Sequence, residues 1–358
     1  IYTDRSCNLM SDKFKNTMKY ISSTLKNVYN ADSIALIPGS GTYAMESVAR
    51  KFAMNKKVMV IRNGYFSYRW SDIFNVCNIS CDEVVIKATS NNDSEMPQFK
   101  PPDINHVIDQ IDKYKPEIIF APHVETSTGI ILDEEYILKL SEKIHKLNGL
   151  LVLDCIASGN IWCDMKKLNI DILITAPQKG WTGPASVGIV LLNEKTRLLL
   201  NEIKEPINSF CCNLDKWVDV METYEKGHFK YYTTLPTDSL NIWKKNIKEA
   251  EDYGFEKLKK NCYELGKKIR TLFYSKKYKS ISIDEYSSPT VIVLYSLNLD
   301  MVNQFKKCNI QIAGGVPLML NEKINTKLNT FRIGLFGLDK LKNINQTVKN
   351  LENVLDKL

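Results

Sequence analysis

The sequence predicts an α/β protein with a mainly parallel sheet and two domains. Between residues 33 and 192, short β-prone runs alternate with amphipathic helical segments, a pattern typical of repeated strand-helix-strand units. The run at 149–153 is continuously apolar, as expected for a strand that helices cover on both faces. A chain of 358 residues also exceeds the length that one hydrophobic core usually organises.

The first predicted element is an amphipathic helix over 11–29, because Phe14, Met18 and Ile21 recur at helical spacing. Seven candidate strands follow, at 33–37, 57–61, 83–87, 117–121, 149–154, 171–175 and 187–192. Helical segments lie between most of them, at 43–54, 104–114 and 134–147. Since the last two strands are close in the chain, we expect them to pair as an antiparallel edge of the sheet.

A long helical stretch rich in Lys, Glu and Leu runs from residue 236 toward residue 276 and predicts the connection to a second domain. The later elements are a strand at 291–295, a helix near 299–307, a strand at 331–334 and a terminal helix ending at 358. We therefore expect a large domain over 1–236, and a linking helix with a smaller α+β domain over 237–358.

Charge and cysteine content narrow the class of protein. The 48 basic and 41 acidic residues are interspersed, so the net charge of +7 favours an anionic small ligand over nucleic acid. The nine cysteines are odd in number and lack CxxC spacing, which predicts a reducing, cytoplasmic setting and no metal centre. His123 has no HxxxH or CxxC partner, so a hydrogen-bonded structural role is favoured. No apolar run approaches the ~20 residues of a membrane span, and residues 1–8 lack a signal pattern.

Ligands of open α/β sheets bind beyond the carboxyl ends of the strands, so polar residues just after each strand are the candidate site residues. The segment 38–42, with the sequence PGSGT, follows the first strand and opens a helix. Its glycines and free N–H groups suit a phosphate, although a simple cap and turn is the alternative.

Asp154 and Lys179 follow two further strands. A carboxylate at the position of Asp154 could hold a pyridinium nitrogen protonated, or it could cap a helix. An amine buried at Lys179 would have its pKa lowered by desolvation and could form an imine, although most lysines are solvated surface residues.

Together these segments resemble the class V aminotransferases, in particular the alanine-glyoxylate and serine-pyruvate branch. They follow the family order from about residue 5 to the C-terminus: SGTYAME at 40–46, NGYFSYR at 63–69, HVETSTG at 123–129, Asp154, Gln178 with Lys179, and FRIGLFG at 331–337. The resemblance implies fold type I with a mostly parallel seven-stranded sheet, pyridoxal phosphate as cofactor, and transamination of a small amino acid with glyoxylate or pyruvate.

The resemblance also assigns roles to the residues that match the family pattern. Lys179 would hold the cofactor as a Schiff base and shuttle a proton, and Asp154 would pair with the pyridinium nitrogen. Phe66 would stack on the pyridine ring, with Ile156 packing from the other face. Thr126 would lie beside the phenolic oxygen of the cofactor.

The remaining roles concern the phosphate, the substrate and the partner subunit. The cofactor phosphate would be bound by Ser40, Gly41, Thr42 and Gln178. Tyr231 and Thr234 match the pair that reaches this phosphate from the neighbouring subunit, which implies a homodimer with shared active sites. Arg332 matches the clamp on the substrate carboxylate, for which a bidentate guanidinium is well shaped.

The sequence departs from the family pattern at Tyr43, where a small residue is common, and at 65–66, where the usual pair contains Trp. A 2-aminoethylphosphonate-pyruvate aminotransferase is the close rival. It would need basic residues for the phosphonate, and beyond Arg69 and Arg332 the sequence shows no Arg or Lys placed for this role. Another class V enzyme, a desulfurase or lyase, is a further alternative. A cysteine desulfurase is disfavoured because that group stacks a histidine where this chain has Phe66 and needs a Cys on a flexible loop. A catalytically silent relative is disfavoured by the joint presence of Lys179, Asp154 and Arg332.

Overall fold

The computed structural model describes residues 3–91, 95–320 and 328–358. Up to residue 192, helices and strands alternate much as the sequence predicts. The elements in chain order are α1 (Asp12–Tyr29), β1 (Ser33–Pro38), α2 (Gly41–Phe52), β2 (Lys56–Arg62), α3 (Tyr65–Val76), β3 (Cys81–Lys87), β4 (Thr89–Ser90), β5 (Phe99–Lys100), α4 (Ile104–Tyr114), β6 (Ile118–Pro122), α5 (Glu134–His145), β7 (Leu150–Asp154), β8 (Ile172–Thr175) and β9 (Val187–Leu192).

The seven candidate strands form one sheet in the order β1-β9-β8-β7-β6-β2-β3, so the predicted α/β fold is confirmed. Strands β8, β7, β6, β2 and β3 run parallel to their neighbours within that series. The predicted antiparallel pairing of β8 with β9 is confirmed, but the prediction that this pair forms the edge is wrong. Strand β9 is buried along its whole length and lies between β8 and β1, which satisfies its backbone hydrogen bonds on both sides.

Helix α1 confirms its predicted core face. Ser11 caps the helix by accepting a hydrogen bond from Phe14 N, and Phe14, Met18 and Ile21 are fully buried. Burial of apolar side chains of this size contributes about 1.5–3 kcal/mol each. These residues belong to the large apolar cluster that surrounds the seven-stranded sheet, which holds the strand ends in fixed positions.

After residue 192 the chain is mainly helical before a small antiparallel sheet of order β10-β12-β11. The elements are α6 (Glu194–Glu202), α7 (Leu214–Glu225), α8 (Thr237–Tyr253), α9 (Phe255–Ser275), a 3-10 turn (Asp284–Tyr286), β10 (Val291–Tyr295), α10 (Met301–Lys307), β11 (Ala313–Gly314), β12 (Thr330–Gly334), α11 (Leu338–Lys342) and α12 (Ile344–Leu355).

The predicted long connecting helix is two helices, because Gly254 between them adopts φ +101°, which a continuous helix excludes. The terminal helix ends at Leu355. Helix α8 begins one residue after the predicted domain boundary at 236, and the division into two domains stays a prediction. Among the described residues, no helix has the length and apolar character that crossing a membrane requires.

Candidate active site

A cavity of about 210 Å³ lies beyond the carboxyl ends of the sheet strands. It gathers nine of the twelve site residues that the sequence predicts, from segments far apart in the chain. These nine are Ser40, Gly41, Thr42, Phe66, Thr126, Asp154, Ile156, Gln178 and Lys179. The cavity wall also contains Met45, Arg69, Val124 and Ala157. Thus Lys179 and Asp154, which the sequence places 25 residues apart, share one cavity.

One wall of the cavity is the amino end of α2. Ser40 is the N-cap residue of this helix, and its side chain makes no capping hydrogen bond within the described chain. Gly41 allows close packing, since a Cβ there would lie 2.5 Å from Ile156 Cδ1. The free N–H groups and dipole of a helix start favour an anion. The side chain of Tyr43 packs over Gly39, so this departure from the family pattern lies outside the cavity lining.

Gln178 adds an unused polar group to the same wall. Its Oε1 is buried and has no hydrogen-bond partner among the described residues. A buried polar atom without a partner costs about 1–3 kcal/mol, so an amide held in this way is typical of a ligand contact. Thr42 is held in place by Arg69, whose Nη1 donates to Thr42 Oγ1 at 3.0 Å.

Asp154 ends β7, and its Oδ1 accepts a hydrogen bond from Ile156 N at 2.9 Å. Burial raises the pKa of Asp154 to about 6, against the opposing effect of that hydrogen bond, and the negative charge of Glu125 raises the pKa further. The positive charge of Arg69 in the same cavity lowers the pKa but does not offset the effect of burial. This electrostatic imbalance is what a cationic ligand atom would correct.

The pKa of Lys179 is lowered, whereas that of Asp154 is raised. Burial lowers the pKa of Lys179, and the positive charge of Arg332 lowers it further. Its Nζ lies 5.1 Å from the centroid of the Phe336 ring. An amine with a lowered pKa is neutral more often at physiological pH, which is the state that attacks a carbonyl. An acid and an amine shifted toward neutrality in one cavity are typical of a catalytic site.

Arg332, on β12, is not among the residues that line this cavity but lies close to two of them, Phe66 and Lys179. Its guanidinium carbon is 5.7 Å from the centroid of the Phe66 ring, and its Nε donates to Gly314 O at 3.0 Å. The carbonyl contact occupies Nε and fixes the direction of the side chain. The structure thus brings Arg332, from the C-terminal part of the chain, beside Phe66 and Lys179.

Sequence reasoning missed two residues that hold Phe66. The guanidinium of Arg69 stacks 5.2 Å from the Phe66 ring centroid. Glu125 is fully buried and accepts hydrogen bonds from the backbone N–H groups of Phe66 (3.1 Å), Ser67 (2.9 Å) and Ser127 (3.0 Å). This carboxylate therefore binds the start of α3 to the β6 loop. Both residues lie inside the segments quoted above, but nothing in their spacing shows that they meet.

Tyr231 and Thr234 do not line the cavity of their own chain. Both side chains are exposed, Tyr231 at 62%. Their predicted role at the neighbouring subunit's phosphate stays a prediction. His123 makes the expected hydrogen bond, with its Nδ1 at 2.7 Å from Ser158 Oγ.

The chain is similar in sequence to known aminotransferases. The family model for aminotransferase class-V matches residues 3–264. The chain is 27% identical over 361 residues to a 2-aminoethylphosphonate–pyruvate transaminase of Bacillus mycoides, which covers 97% of this chain and 90% of that protein. It is 23% identical over 340 residues to alanine–glyoxylate aminotransferase 1 of Saccharomyces cerevisiae, which covers 90% of this chain and 81% of that one.

Solved structures show the same fold. The chain superposes with a TM-score of 0.79 on ureidoglycine-glyoxylate aminotransferase from Bacillus subtilis, at 19% identity, covering 97% of this chain and 87% of that one. It superposes equally, with a TM-score of 0.79, on alanine–glyoxylate aminotransferase from Nostoc sp., at 17% identity, covering 98% and 89%. The predicted fold type I architecture is therefore confirmed.

Proposed function

The chain belongs to the class V aminotransferase family and is an aminotransferase of that class, and from this premise we propose that it uses pyridoxal phosphate to transfer an amino group from a small amino acid to glyoxylate or pyruvate. Enzymes of the class depend on pyridoxal phosphate. The names of the relatives in Bacillus and Saccharomyces support pyruvate and glyoxylate as acceptors.

The observation that carries the proposal is the shared cavity of Lys179 and Asp154. The cavity fits a phosphorylated pyridine in three ways. The open start of α2 suits the phosphate, the Gln178 amide oxygen has no partner among the described residues, and the charge of Arg69 does not offset the burial of Asp154. Ser40, Gly41, Thr42 and Gln178 would hold the phosphate.

The pyridine ring would lie between Phe66 and Ile156, which both line the cavity. The Thr126 hydroxyl would donate to the phenolic oxygen, and Asp154 would accept a hydrogen bond from the ring nitrogen. Arg69 and Glu125 fix the position of Phe66 through the contacts described above. When bound, the cofactor supplies an electron sink that stabilises negative charge on the substrate α-carbon.

The other steps belong to the protein. Nζ of Lys179 accepts the α-proton of the substrate and returns a proton to the product, for which its lowered pKa is suited. The charge of Asp154 would keep a proton on the ring nitrogen of the cofactor. Arg332 binds the substrate carboxylate through its terminal nitrogens, since its Nε is engaged with Gly314 O.

Tyr231 and Thr234 support the proposal of a homodimer with shared active sites, because their exposure leaves them free to reach a second copy. The test co-expresses Lys179→Ala chains with chains that carry both Thr234→Ala and Tyr231→Phe. A shared site predicts recovery of about a quarter of the wild-type specific activity, since half of the random dimers regain one of two sites. Sites confined to single chains predict no recovery.

We also propose a cytoplasmic location, which the nine free cysteines support.

A second candidate is amino transfer from 2-aminoethylphosphonate to pyruvate. It is favoured by two guanidinium groups, those of Arg69 and Arg332, at 5.2 and 5.7 Å from the Phe66 ring. A phosphonate carries more negative charge than a carboxylate and needs more than one cation. Donor assays with alanine, serine and 2-aminoethylphosphonate against both acceptors distinguish the two candidates through the ratio of kcat/KM.

The class-level test is spectroscopic. Protein loaded with pyridoxal phosphate should show a visible absorbance band that borohydride abolishes. After this reduction the cofactor should remain as a covalent label on a peptide that contains Lys179. Lys179→Ala should lack the covalent label, whereas Lys146→Ala, a variant at a helix end outside the cavity, should keep it. Labelling of Lys179→Ala as strong as that of the wild type would refute the assignment of the cofactor lysine.

A further inference from the structure

Three buried side chains that can bind a metal ion meet behind the cofactor cavity. His123, Cys155 and Cys163 are each at least 96% buried, and their ligand atoms all lie within 4.8 Å of one another. Cys155 directly follows Asp154, and His123 N donates to Asp154 O at 2.8 Å. The cluster therefore lies against the strand end that carries Asp154, and the proposed amino transfer does not use its thiols.

The separation of the two thiols in the cluster matches that around a tetrahedral ion. Zinc–sulfur bonds of about 2.3 Å and zinc–nitrogen bonds of about 2.0 Å place two sulfurs about 3.8 Å apart and a sulfur and a nitrogen about 3.6 Å apart. Here the two Sγ atoms of Cys155 and Cys163 are 3.8 Å apart. Cys163 Sγ lies 3.4 Å from His123 Nδ1 and 3.8 Å from its Nε2. The two sulfurs thus already have the separation that a tetrahedral ion needs, and an imidazole nitrogen lies within 4.8 Å of both.

The histidine also has the supporting contact of a metal ligand. Its Nδ1 lies 2.7 Å from Ser158 Oγ. When Nδ1 donates a hydrogen to this oxygen, the lone pair of the ring is on Nε2, the nitrogen 3.8 Å from Cys163 Sγ. Metal-bound histidines almost always donate their second N–H in this manner, which fixes the ring orientation.

An ion can also reach the cluster. A cavity of about 700 Å³ borders His123 and Cys163, and Glu134 and Tyr263 form part of its wall. This space provides an entry path and room for a water molecule as a fourth ligand. Two thiols and one imidazole are the ligand types that zinc-like ions prefer over magnesium or calcium.

We propose that His123, Cys155 and Cys163 form a binding site for a thiolate-preferring divalent cation of the zinc class, with water from the adjacent cavity as the fourth ligand. Each thiol releases its proton to solvent when the ion binds, and no redox change occurs. The site is separate from the cofactor contacts, and its occupancy can be measured without reference to amino transfer.

The test titrates reduced, chelator-treated full-length protein with Co²⁺ under anaerobic conditions. We expect one equivalent to produce the intense d–d absorption of tetrahedral cobalt in the red, beyond the region where pyridoxal phosphate absorbs, and Zn²⁺ to displace it. Cys155→Ser and Cys163→Ser should bind at least about 10-fold more weakly, and Ser158→Ala about 10-fold more weakly. Cys262→Ser, a buried cysteine of α9 outside the cluster, should bind as the wild type does.

X-ray absorption of the zinc-loaded wild type gives a readout that does not depend on the folding of any variant. It should show two sulfurs at about 2.3 Å and a nitrogen at about 2.0 Å. The proposal is overturned if wild-type protein gives no tetrahedral cobalt spectrum, or if Cys163→Ser folds and binds cobalt as tightly as Cys262→Ser. A Cys155–Cys163 disulfide in protein purified without oxidant would overturn it as well, since it would identify the pair as a redox couple.

Discussion

Asp154 should destabilise the cofactor-free protein at neutral pH. The side chain is only 8% exposed, and its pKa is raised from 3.8 to about 6, chiefly by burial. Asp154→Asn removes the charge, keeps the shape of the side chain, and keeps an oxygen that can accept the hydrogen bond from Ile156 N. We expect this variant to be more stable than the wild type when the cofactor is absent.

The magnitude follows from the shift of about 2 pKa units at about 1.4 kcal/mol each, which gives about 3 kcal/mol. The folded state holds a proton that the unfolded state has lost between about pH 4 and about pH 6, so this group's contribution to stability falls as pH rises through that window. Asparagine has no such proton. The difference in unfolding free energy between the two proteins should therefore grow from near zero at about pH 3 to about 3 kcal/mol at about pH 8.

Urea unfolding of both cofactor-free proteins across this pH range measures the difference. Asp72→Asn, which removes an exposed carboxylate on α3, is the matched control and should change stability by less than about 0.5 kcal/mol. With pyridoxal phosphate bound, the order should reverse, because the ring nitrogen then offsets the carboxylate charge. A variant that is equally stable relative to the wild type at both ends of the pH range would refute the reasoning.

Four further outcomes are expected. Arg332→Ala should lower kcat/KM for amino-acid donors about 100-fold with little change in cofactor affinity, because it loses a bidentate charged contact; equal loss of cofactor binding would contradict the role. The same substitution should raise the pKa of Lys179, since Arg332 lowers it, and the pH profile of Lys179 modification by an amine reagent should move upward. Glu125→Gln should cost about 3 kcal/mol in urea unfolding, because an amide cannot accept all the hydrogen bonds that the buried carboxylate receives; a cost below about 0.5 kcal/mol would show that these bonds are replaced by others. Ser40→Ala should weaken pyridoxal phosphate about 10-fold in equilibrium dialysis and leave unphosphorylated pyridoxal unchanged; equal weakening of both would place Ser40 away from the phosphate.

The strands and the cofactor cavity were predictable because their signals are local. Each strand is a short apolar run, and each predicted cavity residue follows such a run or belongs to a segment of the family pattern. The interior position of β9 was not predictable, because its second neighbour is β1, about 150 residues earlier, and no local pattern specifies that pairing.

The supporting contacts were hidden for the same reason. Glu125 lies in a segment whose residue pattern predicts only a loop. Its hydrogen-bond partners, the backbone N–H groups of residues 66 and 67, lie on helix α3. Cys155 and Cys163 lack metal-site spacing in the sequence, and His123 comes from a different strand end. Only the packing of β6 beside β7 brings them together.

The pairing of β1 with β9 has a consequence for biosynthesis. Ser33 pairs with Leu192, and the proposed phosphate-binding loop at 39–42 is connected directly to β1. Synthesis must therefore extend about 150 residues beyond β1 before the strand that carries this loop can pair with β9. In a chain halted before β9, strand β1 should therefore lack its partner strand in the sheet, and the loop that follows β1 should lack the position it has in the complete fold.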